Sequence, residues 1–229
     1  MGGVEKGMAY TDRWDTFTNG VVTVGLDTVT KLIGSASLAI AVNNTSAQVN
    51  MVPTLTGGLP QPALRGKVRM LLRAVDLGGG RKFGLAAVQS VRNITISGSA
   101  YLAFFSGSLL VLGKITSGLS RGGVTVLEEK AFTLVVGKDY VLEFEWNVDN
   151  TQLSGADLVV RAGTVAPGAT GQSNIDTFFE SALNVATTLH KIDKSSPLLT
   201  TLGYGPIFYT PGSPSTVDVR YDSTILYAV

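Results

Sequence analysis

The sequence predicts an all-β fold of antiparallel strands, a sandwich or a barrel, and three observations predict it. Short runs rich in branched and aromatic residues recur at about 83–91, 93–97, 101–105, 109–115, 124–128 and 131–136, punctuated by Gly98, Gly107, Gly118, Gly122, Gly123 and Gly137. Gly137 to Asp149 holds the longest clean alternation. Tyr140, Leu142, Phe144, Trp146 and Val148 fall on one face of an extended strand, and Val141, Glu143, Glu145 and Asn147 on the other, because strand side chains repeat every second residue. The period changes to three and four at Ile175, Phe178, Phe179, Ala182, Leu183, Ala186 and Leu189, which predicts a single amphipathic helix near 174–191 with Ser173 or Asn174 as its cap.

Composition supports one such domain. The chain has 229 residues, 45% of them hydrophobic and 15% charged, enough apolar material for a sizeable core. A net charge of +1 with acids and bases interspersed gives no field that would draw the chain to nucleic acid or to an anionic membrane. The absence of cysteine removes disulfides, thiolate metal sites and thiol nucleophiles together. The first ten residues carry no basic segment followed by an apolar one, so no secretory signal is expected, and no apolar run is long enough to span a bilayer.

Taken in order, residues 1–12 are glycine-rich and read as a flexible N-terminal arm, with the folded domain running from 13 to 229. Val21 to Val24 and Leu26 to Thr30 read as short strands at a sheet edge. Leu38 to Val42, the turn residues Asn43 to Ser46, and Ala47 to Val52 read as a hairpin. Pro53, Gly57, Gly58, Pro60 and Pro62 make 53–64 a loop. Lys67 to Val75 alternates again, with Lys67, Arg69 and Arg73 on its outer face. If this strand neighbours the acidic one, Arg69 or Arg73 lies opposite Glu143 or Glu145. Gly78, Gly79 and Gly80 before Arg81 and Lys82 lack the strand, Gly-Lys-Ser/Thr and helix order of a phosphate cradle and read as a hairpin tip. Leu153 to Arg161 reads as the strand returning beside Tyr140 to Val148. Residues 195–215, rich in Pro and Gly, read as irregular, and Thr216 to Tyr221 and Ile225 to Val229 as closing strands.

Three segments carry a resemblance. Gly34-Ser-Ala-Ser-Leu38 before an early strand, Gly137-Lys-Asp-Tyr140 before the alternating hairpin, and Val219-Arg-Tyr-Asp222 before the last strand resemble the corresponding segments of concanavalin A-like lectin, glucanase and laminin-G jelly rolls. The resemblance implies two antiparallel sheets packed face to face, one of them concave, and no particular activity, since the fold carries lectins, hydrolases and structural modules. The cysteine-free texture, rich in Gly, Thr, Ser and Val, is also similar to virion proteins of tailed bacteriophages. It implies a non-enzymatic capsid decoration or tail appendage, made in a host cytoplasm, homo-oligomeric and in contact with other virion proteins.

The chemistry of the side chains leaves a second class open. Glycoside hydrolases of that superfamily carry Glu-x-Asp-x-x-Glu on one strand, and Glu143, Glu145 and Asp149 depart from it in type and spacing. Glu143 and Glu145, about 7 Å apart on one strand face, are within the span of an inverting carboxylate pair, although a solvated acidic face accounts for them more simply. His190, the single histidine, is expected near the end of the helix, where an imidazole needs no catalytic purpose. No catalytic residue is assigned. The aspartates fall in no calcium-loop pattern, so no metal and no cofactor are expected. Exposed aromatics are the usual platforms for sugar rings. Trp14, Tyr204, Phe208 and Tyr209 are the candidate ligand-binding residues, with Tyr101 beside them, and a cell-surface glycan is the alternative partner.

Overall fold

The computed structural model describes residues 14–29, 32, 37–45, 47–54, 63–77, 82–121, 123–149, 154–166, 175–209 and 215–227. The expected arm, residues 1–12, lies outside them. Two antiparallel sheets of seven strands pack face to face. The first contains, in spatial order, β1 (Trp14–Gly20), β4 (Ala47–Pro53), β13 (Gly205–Tyr209), β6 (Lys82–Ala87), β7 (Ala100–Ser106), β8 (Leu109–Ile115) and β9 (Val124–Ala131). The second contains β12 (Thr187–Asp193), β11 (Ala156–Thr164), β10 (Asp139–Asn147), β5 (Arg65–Leu77), β14 (Ser215–Tyr227), β3 (Ser37–Thr45) and β2 (Thr23–Asp27).

Alternation decides which face is buried. On β10, Tyr140, Leu142, Phe144 and Trp146 enter the shared interior, where they meet Val68, Met70 and Leu72 of β5 and Leu85, Tyr101, Ala103 and Phe105 of the opposite sheet. The one polar atom Trp146 brings inside is satisfied, since its indole N–H donates to the Ala63 carbonyl at 2.9 Å. Burying a side chain of this size contributes roughly 2–3 kcal/mol.

A second polar anchor ties the two sheets together. Lys114 of β8 donates to Asp193 Oδ2 at the end of β12 (2.8 Å), and the Tyr101 hydroxyl donates to the same oxygen (2.7 Å). Lys114 also donates to the Ser195 and Ser196 carbonyls, and the Ser195 amide returns to Asp193 Oδ1. Burial alone pushes the Asp193 carboxyl up, but the Lys114 ammonium, the Tyr101 hydroxyl and the Ser195 amide outweigh it and hold it below the ordinary carboxylate range.

Each outer face is partly covered. On the second sheet α1 (Ile175–Leu183) seats Phe179, Ala182 and Leu183 on Leu71, Val141 and Val165. A Cβ at Gly163 of β11 would stand 1.9 Å from the Ala182 carbonyl oxygen, so the helix can lie this close only over a glycine. On the first sheet the connection after β6 folds back over the strands. Val88 turns through a left-handed backbone (φ 54°), and Gln89 then pairs its amide reciprocally with that of Asn50 at 3.1 and 3.2 Å. Asn93 closes a tight turn by accepting from the Thr95 amide and hydroxyl, which brings Ile94 onto Ala86, Leu102 and Phe104.

Several expectations are corrected. Residues 38–52 do not form a hairpin: β3 belongs to the second sheet and β4 to the first, because every side chain of β4 is buried and needs an interior on one side and the Gln89 connection on the other. The helix ends at Leu183. Thr187 and Thr188 are β-branched, Leu189 is buried between exposed Thr188 and His190, and this alternation of two makes 187–193 the edge strand β12. Residues 93–97 are turns, and 132–136 wrap the Tyr140 hydroxyl, which accepts from the Val135 amide at 2.7 Å. Residues 205–209, expected to be irregular, are the fully buried strand β13 between β4 and β6. Among the described residues no helix is long and apolar enough to cross a membrane.

Candidate functional site

The alternation that buries Phe144 and Trp146 turns Glu143 and Glu145 outward, and antiparallel pairing decides what stands beside them. Glu143 lies directly between Arg69 of β5 and Arg161 of β11. Its Oε2 accepts from Arg69 Nε at 2.5 Å and its Oε1 from Arg161 Nε at 2.6 Å, with a second contact from Arg161. Arg69 also reaches Glu180 of α1 at 2.5 Å. The expected cross-strand pairing is thus present at Arg69, and Glu143, 0% exposed, is enclosed by it. Both of its oxygens are engaged by guanidinium groups. Arg73, two residues on, makes a two-point contact with Asp139 at 2.5 and 2.7 Å.

The rows beyond the helix are open. Glu145 lies between Lys67 and Val159, and His190 of β12 continues the row to the sheet edge. The next row brings Asp157, Asn147 and Arg65 together. His190 Nε2 and Asp157 Oδ1 are 2.8 Å apart with 57% and 28% of their side chains exposed, and Arg161 is 31% exposed beside them. The His190 amide donates to Glu128 of β9, which fixes this edge against the other sheet. Asp157, Glu145, Arg161 and His190 thus form a strip of donors and acceptors on rigid strands. Among the described residues no group of three or more acidic or histidine side chains is arranged to hold a metal ion.

The aromatic candidates lie elsewhere. Trp14 and Tyr204 meet edge to face at 6.1 Å inside the sandwich, with Trp146 6.3 Å beyond. Phe208 and Tyr101 point into the same interior. Tyr209 faces outward from β13 and is nevertheless buried, against Phe104. None of these rings is open for stacking, and the exposed large hydrophobic side chains among the described residues are aliphatic. What sequence reasoning missed is the strip itself. The alternation of Asp157, Val159 and Arg161 is visible in the chain, but His190 joins them only once 187–193 is recognised as a strand.

Comparison with solved structures agrees with this architecture. The carbohydrate binding module CBM66 from Bacillus subtilis superposes with a TM-score of 0.53 at 12% identity, over 97% of this chain and 98% of that one. The PL-14 alginate lyase from Aplysia kurodai gives 0.55 at 7% identity over 90% and 87%, and the alginate lyase vAL-1 from Chlorella virus 0.54 at 10% over 95% and 93%. No protein-family model matches the chain, and no curated protein matches it in sequence. At such identities the likeness is one of fold. The chain is a two-sheet jelly-roll sandwich of the concanavalin-like kind expected from its three motifs, and the structures named here carry no link to a phage particle.

Proposed function

We propose that this chain is a non-catalytic carbohydrate-binding module that holds glycan along the open strip of the second sheet. The observation that carries the reading is the contrast within one strand. Glu143 is spent on Arg69 and Arg161, whereas Glu145, partly exposed, and the His190–Asp157 pair, with 57% and 28% of its side chains exposed, stand in adjoining rows. Sugar hydroxyls both donate and accept, and side chains set about 4.8 Å apart on neighbouring strands can meet successive hydroxyls without rearranging. The likeness in fold to a carbohydrate binding module over nearly the whole of both chains supports the same reading. Binding without stacked rings is then polar in character and falls on His190, Asp157, Glu145 and Arg161.

Retardation in native gels cast with polysaccharide tests it. The protein is expected to be slowed by a subset of glycans, and Asp157→Ala and His190→Ala are expected to run free in the same gels. Unchanged mobility of the parent protein across neutral and acidic glycans would overturn the reading. A second reading, assembly as a homo-oligomer on a virion, draws on the texture of the sequence and on Val126, half exposed on the edge strand β9. Light scattering with and without residues 1–12 tests that one: a defined oligomer that dissociates on truncation supports it, and a monomer in both cases contradicts it.

A further inference from the structure

The first sheet ends in an edge strand whose outer face stays partly open. On β1, Trp14 points into the sandwich, so Asp15, Phe17 and Asn19 point out of it, and all three are partly exposed. Phe17 packs in none of the hydrophobic clusters formed by the described residues. Its paired neighbour on β4 is Asn50, which is buried and engaged by Gln89 and by the Arg92 carbonyl. The ring therefore has a carboxylate before it on the strand, an amide after it and another amide across from it.

The polar groups that flank the ring are already held in place. Arg92 donates to Asp15 and, at 2.7 Å, to the Pro53 carbonyl, and 25% of the Arg92 side chain and 43% of the Asp15 side chain are exposed. Asn19 donates to Gln48 Oε1 at 2.6 Å. The second carboxylate oxygen of Asp15 and the amide oxygen of Asn19 accept nothing from the described residues. From Asp15 to Asn19 the strand rises about 13 Å, with the ring midway. Two oriented acceptors thus bracket one flat apolar surface, and a ligand would not have to order them.

We infer that the outer face of β1 is a second glycan site, in which a neutral sugar ring stacks on Phe17 and donates hydroxyls to Asp15 and Asn19. A sugar has the form this face requires, an apolar C–H surface with polar groups around its rim. Phe17 is the single apolar side chain of the three, whereas a stable protein partner covers roughly 800 Å² on each side with an apolar centre, so the row favours a sugar over a protein. Asp15 matches the charge of Arg92, so an anionic sugar would bring its carboxylate to that of Asp15 with no unpaired cation among these side chains to receive it. The site shares no residue with the strip on the second sheet and does not rest on it.

The test is calorimetric titration of the full chain carrying Asp157→Ala, which disables the strip, with neutral gluco-, xylo- and manno-oligosaccharides and with uronate oligosaccharides. Binding of a neutral oligosaccharide is expected. In the same background Phe17→Leu is expected to weaken it about tenfold, the worth of one stacked ring, while Phe17→Trp keeps or strengthens it. Leucine keeps the apolar bulk without the flat face, so the contrast between the two substitutions reads stacking and not folding. Asp15→Ala is expected to weaken binding roughly ten- to a hundredfold, the loss of a hydrogen bond to a charged group. No binding of any neutral oligosaccharide, binding indifferent to Phe17→Leu, or equal binding of uronates would each overturn the proposal. So would self-association in light scattering that Phe17→Ala abolishes, which would make this face a protein interface.

Discussion

Under α1 on the second sheet, Glu143 sits between Arg69 and Arg161, and Arg69 continues to Glu180. In the corresponding position on the first sheet, the covering connection is held by the neutral amide pair of Asn50 and Gln89, and beyond it Lys82 has rings beside it and, among the described residues, no carboxylate. The same sandwich therefore has one outer face closed by charge and another left short of it. Closed groups serve the architecture. Groups left partly open to solvent, at His190 and Asp157 on the second sheet, are where a ligand can supply something the protein does not.

Breaking the closed face should give the largest effect. Glu143→Ala removes the carboxylate between two guanidinium groups, leaving Arg69 only Glu180 and Arg161 no acidic partner among the described residues, and is expected to cost about 3–5 kcal/mol in denaturant unfolding. A near-neutral effect would show that this ion-pair group is not what holds α1 down. Next comes the clamp that joins the sheets. Asp193→Asn is expected to cost about 1.5–3 kcal/mol at pH 7, the worth of hydrogen bonds to a charged group. Because the folded carboxyl is held below its unfolded value of 3.8, that stabilisation is fully present above this value and is lost as the pH falls through the folded one. The stability difference between parent and Asp193→Asn should therefore close in acid, and a gap that stays constant down to pH 2 would contradict the charged clamp.

Gly163→Ala sharpens the comparison at the helix. The added methyl must push Ala182 away, at a cost of about 1–3 kcal/mol, and amide exchange in 175–183 should rise before that of the strands. The smallest stability effect belongs to the open strip. His190→Ala is expected to change unfolding by no more than about 0.5 kcal/mol, as exposed pairs do, while abolishing retention on glycan.

The parts of this account legible in the sequence are those governed by period and by immediate neighbours. Tyr140 to Val148 announced which side chains enter the core, and the basic outer face of Lys67 to Arg73 announced a partner for Glu143, because alternation and charge are local properties of a strand. The outer face expected to be wet is instead buried at Val141 and Glu143, where α1 covers it. The crossing from β3 to β4 was not legible, since Asn43 to Ser46 have the chemistry of a hairpin turn whether the chain returns to the same sheet or changes sheets. Nor was β13, whose Pro206 and flanking glycines resemble a loop until β4 and β6 enclose it. His190 was misplaced because Ala186 and Leu189 extend a helical spacing by coincidence, and the competing signal, two threonines, is short. The aromatic candidates were misjudged for a related reason: Trp14 and Tyr204 lie outside clean alternations, so their burial is decided by a contact between residues 190 positions apart in the chain.

The most direct test of binding without cleavage is to incubate the protein with an insoluble glycan that retains it, and to assay the supernatant for new reducing ends and unsaturated sugars. The account predicts retention with no product above a protein-free control, and retention undiminished in Glu143→Gln. Product that accumulates with time and disappears in Glu145→Gln would contradict it and make the open strip an active site.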